Sequence, residues 1–169
     1  MVFSSNINGI GWGALTQRED HKLINTDKEK VMLTPANDAF MQLAAKCVEQ
    51  RVTVDLFFAM SQYKSVDLTS IAVLPSVTGG DLHFMAPFDI NKHGEKLHYE
   101  IFRVLTRVSA TEVQIKARVS AGMSVIEYFG GFTFKEQPDI SLASIDSDKS
   151  IGFVIRVDEK LKENSLAFI

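Results

Sequence analysis

The sequence contains a single cysteine, Cys47, and no excess of basic residues. One thiol cannot form a disulfide within the chain or supply a cysteine-rich zinc site, so we expect a reducing compartment. Lysine and arginine total 18 against 21 acidic residues, and the resulting net charge of -3 does not favour nucleic acid as a partner. No apolar run reaches the roughly 18 residues of a spanning helix, and no basic leader opens the chain. We therefore expect a soluble chain that is not secreted.

Catalytic and metal-binding motifs are also missing. The sequence has no H-E-x-x-H helix, no G-x-S-x-G turn, no dinucleotide fingerprint and no calcium loop. The histidines, His21, His83, His93 and His98, do not stand at ligand spacing, and each is interpreted as a surface or lining residue. Cys47 lies on an apolar helical stripe, which favours a buried thiol over a nucleophile. The sequence thus predicts no catalytic residue, no cofactor and no metal ion.

What the sequence does contain is the mixture of a globular protein, with 46% hydrophobic and 23% charged residues. The nearly continuous apolar run Val52–Met60 predicts the central strand of a parallel sheet. Strand and helix patterns alternate up to Arg107: a buried strand ending at 5, a polar surface loop over 16–30, a helix after 34, strands over 52–60 and 81–85, and helices over 67–77 and 91–107. This order predicts half of an open doubly wound sheet.

The three helices are predicted from boundary residues and apolar stripes. Thr34 before Pro35 predicts an N-cap followed by proline at the first helical position. The stripe of this helix would be Phe40, Leu43, Ala44, Cys47 and Val48. The second helix is expected to stop near Pro75, and Thr78–Gly80 to form a tight turn rather than a phosphate cradle. The third helix is expected to pair Lys96 with Glu100. Its buried side would be Leu97, Ile101, Val104, Leu105 and Val108.

After Val108 the apolar period changes from helical to two, which predicts a boundary between domains 1–107 and 108–169. Alternating residues predict half-buried strands over 112–119, over 123–134 with a break at Gly130-Gly131, and over 151–157. Ile140, Leu142 and Ile145 indicate only a short connecting piece, and 165–169 indicates the start of a further strand. These patterns favour an antiparallel β-sandwich. Both ends fall within predicted strands, so we expect a piece of a longer protein that is marginally stable by itself.

Several segments resemble one family, in the same order along the chain. They are Leu23–Lys30, Val54–Phe58, Gln62-Tyr63, Leu74–Gly80, Lys116–Arg118 with Gly122, Tyr128–Gly131 and Ile145–Lys149. Together they are similar to the cargo-adaptor subunit of the COPII vesicle coat, the Sec24 family. The last two segments are most similar to the branch that holds the animal C and D paralogues. The resemblance spans essentially the whole chain.

The resemblance implies a fold and a function. The fold is α/β plus β: the C-terminal half of a von Willebrand A-type trunk domain over 1–107, followed by part of an antiparallel β-sandwich over 108–169. The implied function is not enzymatic. It is the selection of cargo for transport from the endoplasmic reticulum to the Golgi, in a pair with the Sec23 subunit, at the cytosolic face of the endoplasmic reticulum membrane and COPII vesicles. The family's zinc finger would lie outside this chain.

The resemblance also implies a site for acidic sorting signals in cargo tails, which corresponds by position to Lys116 and Arg118. Both side chains would leave one face of the predicted strand, and a guanidinium binds a carboxylate through paired hydrogen bonds. Lysine at 116 departs from the arginine common in the family, and an ammonium lacks the planar fork of donors. The alternative is a solvated strand face on which Glu112 is the local partner.

Two other functions stay open from the sequence. A metal-dependent von Willebrand A-type adhesion domain would need an acidic metal motif on the first strand of its sheet. Asp55 is the nearest candidate acid, but one carboxylate cannot form the oxygen cage of a divalent ion. The second alternative is the Sec23 partner subunit itself, to which the quoted segments are less similar.

Overall fold

The computed structural model describes residues 1–18, 20–62, 66–136, 139–160 and 168. The strands are β1 (Val2–Ser4), β2 (Leu56–Ala59), β3 (Leu82–Met85), β4 (Ser109–Ile115), β5 (Met123–Phe129), β6 (Thr133–Glu136), β7 (Asp139–Asp146) and β8 (Gly152–Val157). The helices are a 3-10 helix (Asp27–Val31), α1 (Ala39–Glu49), α2 (Leu68–Thr78) and α3 (Ile90–Thr106). Within the described ranges, no helix is both long and apolar enough to cross a membrane.

β2 lies between β1 and β3 in a three-stranded parallel sheet, as its apolar run predicts. Leu56, Phe57 and Phe58 are all buried. The strand is shorter than predicted because its neighbours are only three and four residues long. Among the described strands β1 pairs only with β2, and Val2 and Phe3 are 51% and 56% exposed, so the prediction of a buried first strand is wrong.

A row of aromatic rings crosses one face of this sheet. Phe3, Phe57 and His83 are register neighbours on the three strands, and their rings stack at centroid separations of 4.9 and 4.4 Å. Leu97 of α3 lines the same pocket as this row. The Nδ1 atom of His83 lies 3.4 Å from the carboxylate of Glu100, in place of the predicted pair with a lysine. The middle of α3 therefore covers this face.

The last turn of α3 extends beyond the sheet. Leu105 is 65% exposed, and Val108, just past the helix, is 81% exposed, so the prediction that both are buried is wrong. Helical spacing places them on the apolar side, but 17 residues span about 25 Å, whereas a four-residue strand spans about 13 Å. The sheet is too narrow to cover the whole helix.

α1 begins at Ala39 rather than after Thr34, so the predicted N-cap is wrong. The carbonyl of Thr34 accepts a hydrogen bond from Arg18 at 2.9 Å, and the N–H of Ala36 donates to the hydroxyl of Ser70 at 2.7 Å. These bonds to the preceding loop and to α2 hold the segment outside the helix. The predicted stripe is confirmed, since it packs on α2 through Phe40, Leu43, Ala44, Cys47 and Val48.

α2 continues three residues past Pro75, contrary to the predicted stop. A proline lacks the N–H for the preceding turn, but the residues after it can still be helical. The hydroxyl of Thr78 donates to the carbonyl of Leu74 at 2.9 Å. Gly79 then ends the helix with a left-handed φ of 84°, and the N–H of Gly80 donates to the carbonyl of Pro75 at 2.9 Å. The predicted tight turn is confirmed.

β7 is the central strand of an antiparallel sheet ordered β4–β7–β6, so the prediction of a short connecting piece is wrong. Ile140 and Ala143 are fully buried and Leu142 is 6% exposed, because β7 also packs against α1 and α2. Serines and aspartates between the apolar residues weaken the strand pattern in the sequence. Only tertiary packing identifies this segment as a core strand.

The remaining strands follow the sequence pattern more closely. β5 and β8 form a separate two-stranded antiparallel sheet, and the strand predicted over 151–157 is confirmed as β8. The predicted break at Gly130-Gly131 is confirmed between β5 and β6. The strand predicted over 165–169 lies outside the described residues except for Phe168, and Tyr63 of the resembling segments lies outside them as well.

The elements from β1 to α3 are called the parallel-sheet unit here, and β4 to β8 the antiparallel unit. Glycines allow these two units to touch backbone to backbone. A Cβ atom on Gly79 would overlap the carbonyl of Ser144 in β7, and one on Gly131 would overlap the carbonyl of Ser76 in α2. The hydroxyl of Thr53 also donates to that of Ser144 at 2.7 Å. A hydrogen atom is the largest substituent that fits at either glycine, so these positions set how closely the units approach.

Candidate binding site

Lys116 and Arg118 follow the end of β4 instead of lying within it, so their predicted place inside the strand is wrong. β4 ends at Ile115, which pairs with Ile140 of β7. Burial nevertheless continues to alternate: Lys116 and Arg118 are exposed, while Ala117 and Val119 are partly buried. Residues two apart in an extended chain point to one side, so the alternation fits the predicted shared face.

The two cations differ in their partners. The ammonium of Lys116 lies 2.8 Å from the carboxylate of Asp139, and the two side chains are 46% and 45% exposed. Within the part of the chain that the structure describes, Arg118 forms no ion pair. Glu112, the partner expected from the sequence, has a left-handed φ of 56° and pairs with Arg51 instead. An incoming anion can therefore meet Arg118 directly, and Lys116 after displacing Asp139.

Exposed cations in this arrangement suit a short acidic peptide. The guanidinium of Arg118 can hold one carboxylate with two parallel hydrogen bonds, whereas the ammonium of Lys116 acts as a point charge. Two extended residues advance the chain by about 6–7 Å, and a second extended strand with acidic residues two apart has the same spacing. Water and salt screen an exposed site, so the expected affinity is modest.

Replacing Asp139 with asparagine should strengthen the binding of an acidic peptide, because the internal competitor for Lys116 loses its charge. We expect the Kd to fall about two- to fivefold, the equivalent of one exposed ion pair. Fluorescence anisotropy of a labelled peptide measures the change. Asp158→Asn is the control, since it removes an exposed carboxylate paired with Arg156 elsewhere. A Kd that does not fall would show that Asp139 does not compete for the site.

A second polar site, an ion cluster at the junction of the two units, is not predicted by the sequence. The guanidinium of Arg107 is 9% exposed and lies 2.6 Å from Asp81, 2.9 Å from Asp146 and 3.5 Å from Asp148. The ammonium of Lys149 also contacts Asp81, 68 residues away in sequence. Residues so far apart in the sequence form no local pattern that would predict the cluster. Three residues of the cluster do lie in the charged segment Ile145–Lys149, which is part of the family resemblance.

Charge pairing sets the ionisation of this junction cluster. Burial would raise the pKa of Asp81, but hydrogen bonds and charge from Lys149 and Arg107 outweigh burial and lower it. Burial would likewise lower the pKa of Arg107, but the hydrogen bond to Asp81 and the surrounding carboxylates raise it. Both groups stay charged at neutral pH. The cluster therefore joins the units through charge-assisted hydrogen bonds.

Asp55 does not lie where a metal-dependent A-type domain would need it. It precedes β2 at the amino edge of the parallel sheet, whereas open α/β sheets bind ligands at the carboxyl ends of their strands. Its carboxylate accepts a hydrogen bond from the N–H of Asp81 at 3.2 Å and lies 4.0 Å from Arg107. Over the described residues, no group of three or more His, Cys, Asp or Glu is placed to hold a metal ion.

Two of the histidines are packing partners. His83 belongs to the aromatic row, and His93 stacks on Phe88 with a centroid separation of 5.9 Å. The Nδ1 atom of His93 accepts a hydrogen bond from the N–H of Asp89 at 3.1 Å. These contacts agree with the interpretation of His83 and His93 as lining residues.

A parallel sheet with helices and a set of antiparallel strands define a mixed helix-and-sheet protein. Residues 1–105 match the Sec23/Sec24 trunk domain family. The chain belongs to this family, and the family membership predicted from the sequence is confirmed.

Relatives extend the likeness over nearly the whole chain. Human protein transport protein Sec24C is 35% identical over 157 residues, human Sec24D is 32% identical over 157, and SEC24 B of Arabidopsis thaliana is 34% identical over 169. These matches cover 93%, 93% and 98% of this chain. The crystal structure of the human COPII-coat protein Sec24c has a TM-score of 0.87 at 32% identity and covers 98% of this chain. The predicted likeness to the C and D branch fits these matches.

The chain spans only a small part of these relatives. It covers 14% of Sec24C, 15% of Sec24D and 15% of SEC24 B, and 22% of the solved Sec24c chain. The family and the fold are therefore shared, whereas the activities of the whole relatives do not transfer to this chain as facts.

Proposed function

We propose that this chain works in a COPII cargo adaptor and takes part in selecting cargo for transport from the endoplasmic reticulum to the Golgi. Membership of the Sec23/Sec24 trunk family, with the likeness to Sec24C along nearly the whole chain, carries this proposal. Residues 1–107 are then the C-terminal half of a von Willebrand A-type trunk, and 108–169 part of a β-sandwich. The parallel sheet in the first part and the two antiparallel sheets in the second support that division.

Lys116 and Arg118 bind acidic sorting signals in this proposal. Arg118 binds one carboxylate of a cargo tail. Lys116 releases the carboxylate of Asp139 and binds the next carboxylate of the tail. The exchange replaces one exposed ion pair by another, so its free energy is small and the bound tail can leave again. Exposure of both cations, and the absence of an ion pair at Arg118 among the described residues, support this role.

The chain pairs with the Sec23 subunit through its trunk, at the cytosolic face of the endoplasmic reticulum membrane and of COPII vesicles. The match to a trunk domain common to Sec23 and Sec24 supports this pairing. The chain contributes binding and no catalysis, in keeping with relatives that are named protein transport proteins. It needs no cofactor of its own, because the family's zinc finger lies in another part of the adaptor.

Neither alternative function gains support. A metal-dependent adhesion domain would use an acid at the carboxyl edge of the sheet, and Asp55 lies at the opposite edge beside Arg107. The relatives at 32–35% identity are Sec24 proteins, which favours the adaptor over the Sec23 subunit.

The double substitution Lys116→Ala with Arg118→Ala should reduce the packaging of cargo with acidic tails about tenfold, as expected for two exposed charge pairs. Vesicle budding with the adaptor and Sec23 measures the packaging, and co-purification measures assembly, which should not change. Arg51→Ala with Arg156→Ala removes two exposed cations elsewhere and should leave packaging intact. Unchanged packaging of every acidic cargo would refute the assignment.

A further inference from the structure

Arg107 lies where the chain passes from the parallel-sheet unit to the antiparallel unit. Its N–H donates to the carbonyl of Arg103 at 2.9 Å and closes α3, and β4 begins two residues later. Its side chain is 9% exposed. A charge buried to this extent persists only if it is paired. The contacts of this one side chain therefore bear on how the two units are joined.

Carboxylates from both units surround the guanidinium. Asp81, at 2.6 Å, and Asp55, at 4.0 Å, belong to the amino edge of the parallel sheet. Asp146, at 2.9 Å, ends β7, and Asp148, at 3.5 Å, lies in the turn that follows. A guanidinium offers its donors in a fixed planar fork, so it holds these acids in defined directions, which an ammonium cannot do.

Two neighbouring cations extend the same bridge. Lys149 contacts Asp81 across the junction, and the Nε atom of Arg103 donates to Asp148 at 2.9 Å. Without Arg107, four carboxylates would share these two cations, and like charges at short range repel one another. Loss of Arg107 would therefore leave the junction with uncompensated negative charge.

The other junction contacts are of a different kind. Gly79 and Gly131 set the distance between the units through van der Waals contact, which is not directional. The pair Arg51 and Glu112 also crosses the junction, but its side chains are 69% and 49% exposed. Exposed pairs contribute little to holding a geometry.

Hydrogen bonds from Thr53 to Ser144 and from Lys149 to the carbonyl of Gly80 cross the junction as well. Arg107, at 9% exposed, is less exposed than Lys149, at 24%, and its guanidinium holds carboxylates of both units in fixed directions.

β7 connects this junction to the cationic site. Asp146 at its end contacts Arg107, and Asp139 at its start lies 2.8 Å from Lys116. The two ends of the strand are about 23 Å apart. A tilt of about 10° at one end would displace the other by about 4 Å.

We propose that Arg107 is a positioning residue that fixes the orientation of the antiparallel unit on the parallel sheet and, through β7, the place of Lys116 and Arg118. The effect on the two cations rests on their proposed function, whereas the effect on orientation does not. Arg107 itself touches no ligand.

Pulsed electron paramagnetic resonance tests the orientation in the 169-residue chain. Spin labels are attached at Met41→Cys on α1 and Gln114→Cys on β4, both exposed, after Cys47→Ala removes the native thiol. Arg107→Met should broaden or shift the distance distribution by about 3 Å, because Gln114 lies opposite Ser141, about 17 Å along β7 from Asp146, and a tilt of about 10° moves it by that amount. It should also raise the Kd of an acidic peptide about tenfold, the size of a typical coupling between sites. Arg51→Met is the matched control, and both readouts should be unchanged in it.

An unchanged distance distribution in folded Arg107→Met chain would overturn the proposal. If that variant does not fold, Arg107→Lys keeps the charge without the fork, and an unchanged distribution in it would overturn the proposal equally. A broader distribution with an unaltered Kd would overturn the effect on the cationic site. If the native chain does not bind the peptide at all, a broader distribution supports the role of Arg107 in orientation, while the proposed function of Lys116 and Arg118 fails.

Discussion

Replacing Gly79 with alanine should cost the fold about 2–5 kcal/mol. A left-handed φ, here 84°, costs an L residue about 1–2 kcal/mol. The added Cβ would overlap the carbonyl of Ser144, and overpacking of this kind costs about 1–3 kcal/mol more. A domain is stabilised by only about 5–15 kcal/mol in total, so a large share is lost. Urea denaturation followed by circular dichroism measures the difference.

Gly9→Ala is the matched control for this prediction. No atom lies within 4 Å of the position that a Cβ would take there, and its φ is not left-handed. Its unfolding midpoint should equal that of the unaltered chain. Equal midpoints for the Gly79 and Gly9 variants would mean that the two units do not meet at Gly79.

Replacing Asp67 with alanine should cost about 3–4 kcal/mol, within the range for breaking a buried ion pair together with a helix cap. The Asp67 side chain is 2% exposed and accepts bonds of 2.6 and 2.7 Å from Arg18. It also accepts from the N–H of Ser70 at 3.1 Å and so caps α2. Without Asp67, Arg18 loses the carboxylate that orients it for its hydrogen bond to the loop before α1. Urea denaturation at pH 7 measures the loss.

The contribution of Asp67 should disappear in acid. Burial would raise its pKa, but hydrogen bonds from Arg18 and Ser70 outweigh burial and lower it. A lowered folded pKa means that the carboxylate stabilises the fold fully above the ordinary aspartate range and ceases to do so as the pH falls through the folded value. The gap between the native chain and Asp67→Ala should therefore be constant near neutrality and shrink in acid. Asp158→Ala, at an exposed pair with Arg156, should show no comparable gap, and a gap for Asp67 that persists at the lowest pH would contradict the assignment.

Elements whose apolar residues repeat with a clear period are predicted well from the sequence. The run Val52–Met60 contains the central strand of the parallel sheet, and the stripe on α1 packs on α2. Residues 151–157 alternate and form β8. In each case the buried face is formed by residues of one segment, so the spacing of apolar residues within that segment is enough to predict the element.

Elements decided by distant contacts are predicted poorly. β7 has a mixed polar sequence and becomes a core strand because α1, α2 and two strands cover it. Thr34 has the features of an N-cap, but bonds from Arg18 and the neighbouring helix delay the start of α1 until Ala39. Leu105 stays exposed because the sheet below α3 ends before the helix does.

The same division applies to the candidate site. Family resemblance led to Lys116 and Arg118, and alternation along the chain predicts that they share a face. The partner of Lys116 is Asp139, more than twenty residues away, rather than the nearby Glu112. Arg107 was placed at a domain boundary by the sequence, but its four carboxylates are brought together only by the folded chain.

The main proposal for this chain is that Lys116 and Arg118 bind acidic sorting signals in cargo tails. The most direct measurement is a fluorescence anisotropy titration with a labelled peptide that carries two acidic residues two positions apart, against the same peptide with both acids changed to amides. The native chain should bind the acidic peptide, and Lys116→Ala with Arg118→Ala should weaken that binding about tenfold. The amide peptide should bind weakly to both chains, with a Kd no lower than that of the double variant for the acidic peptide. Equal binding of the acidic peptide by the native chain and the double variant would contradict the claim.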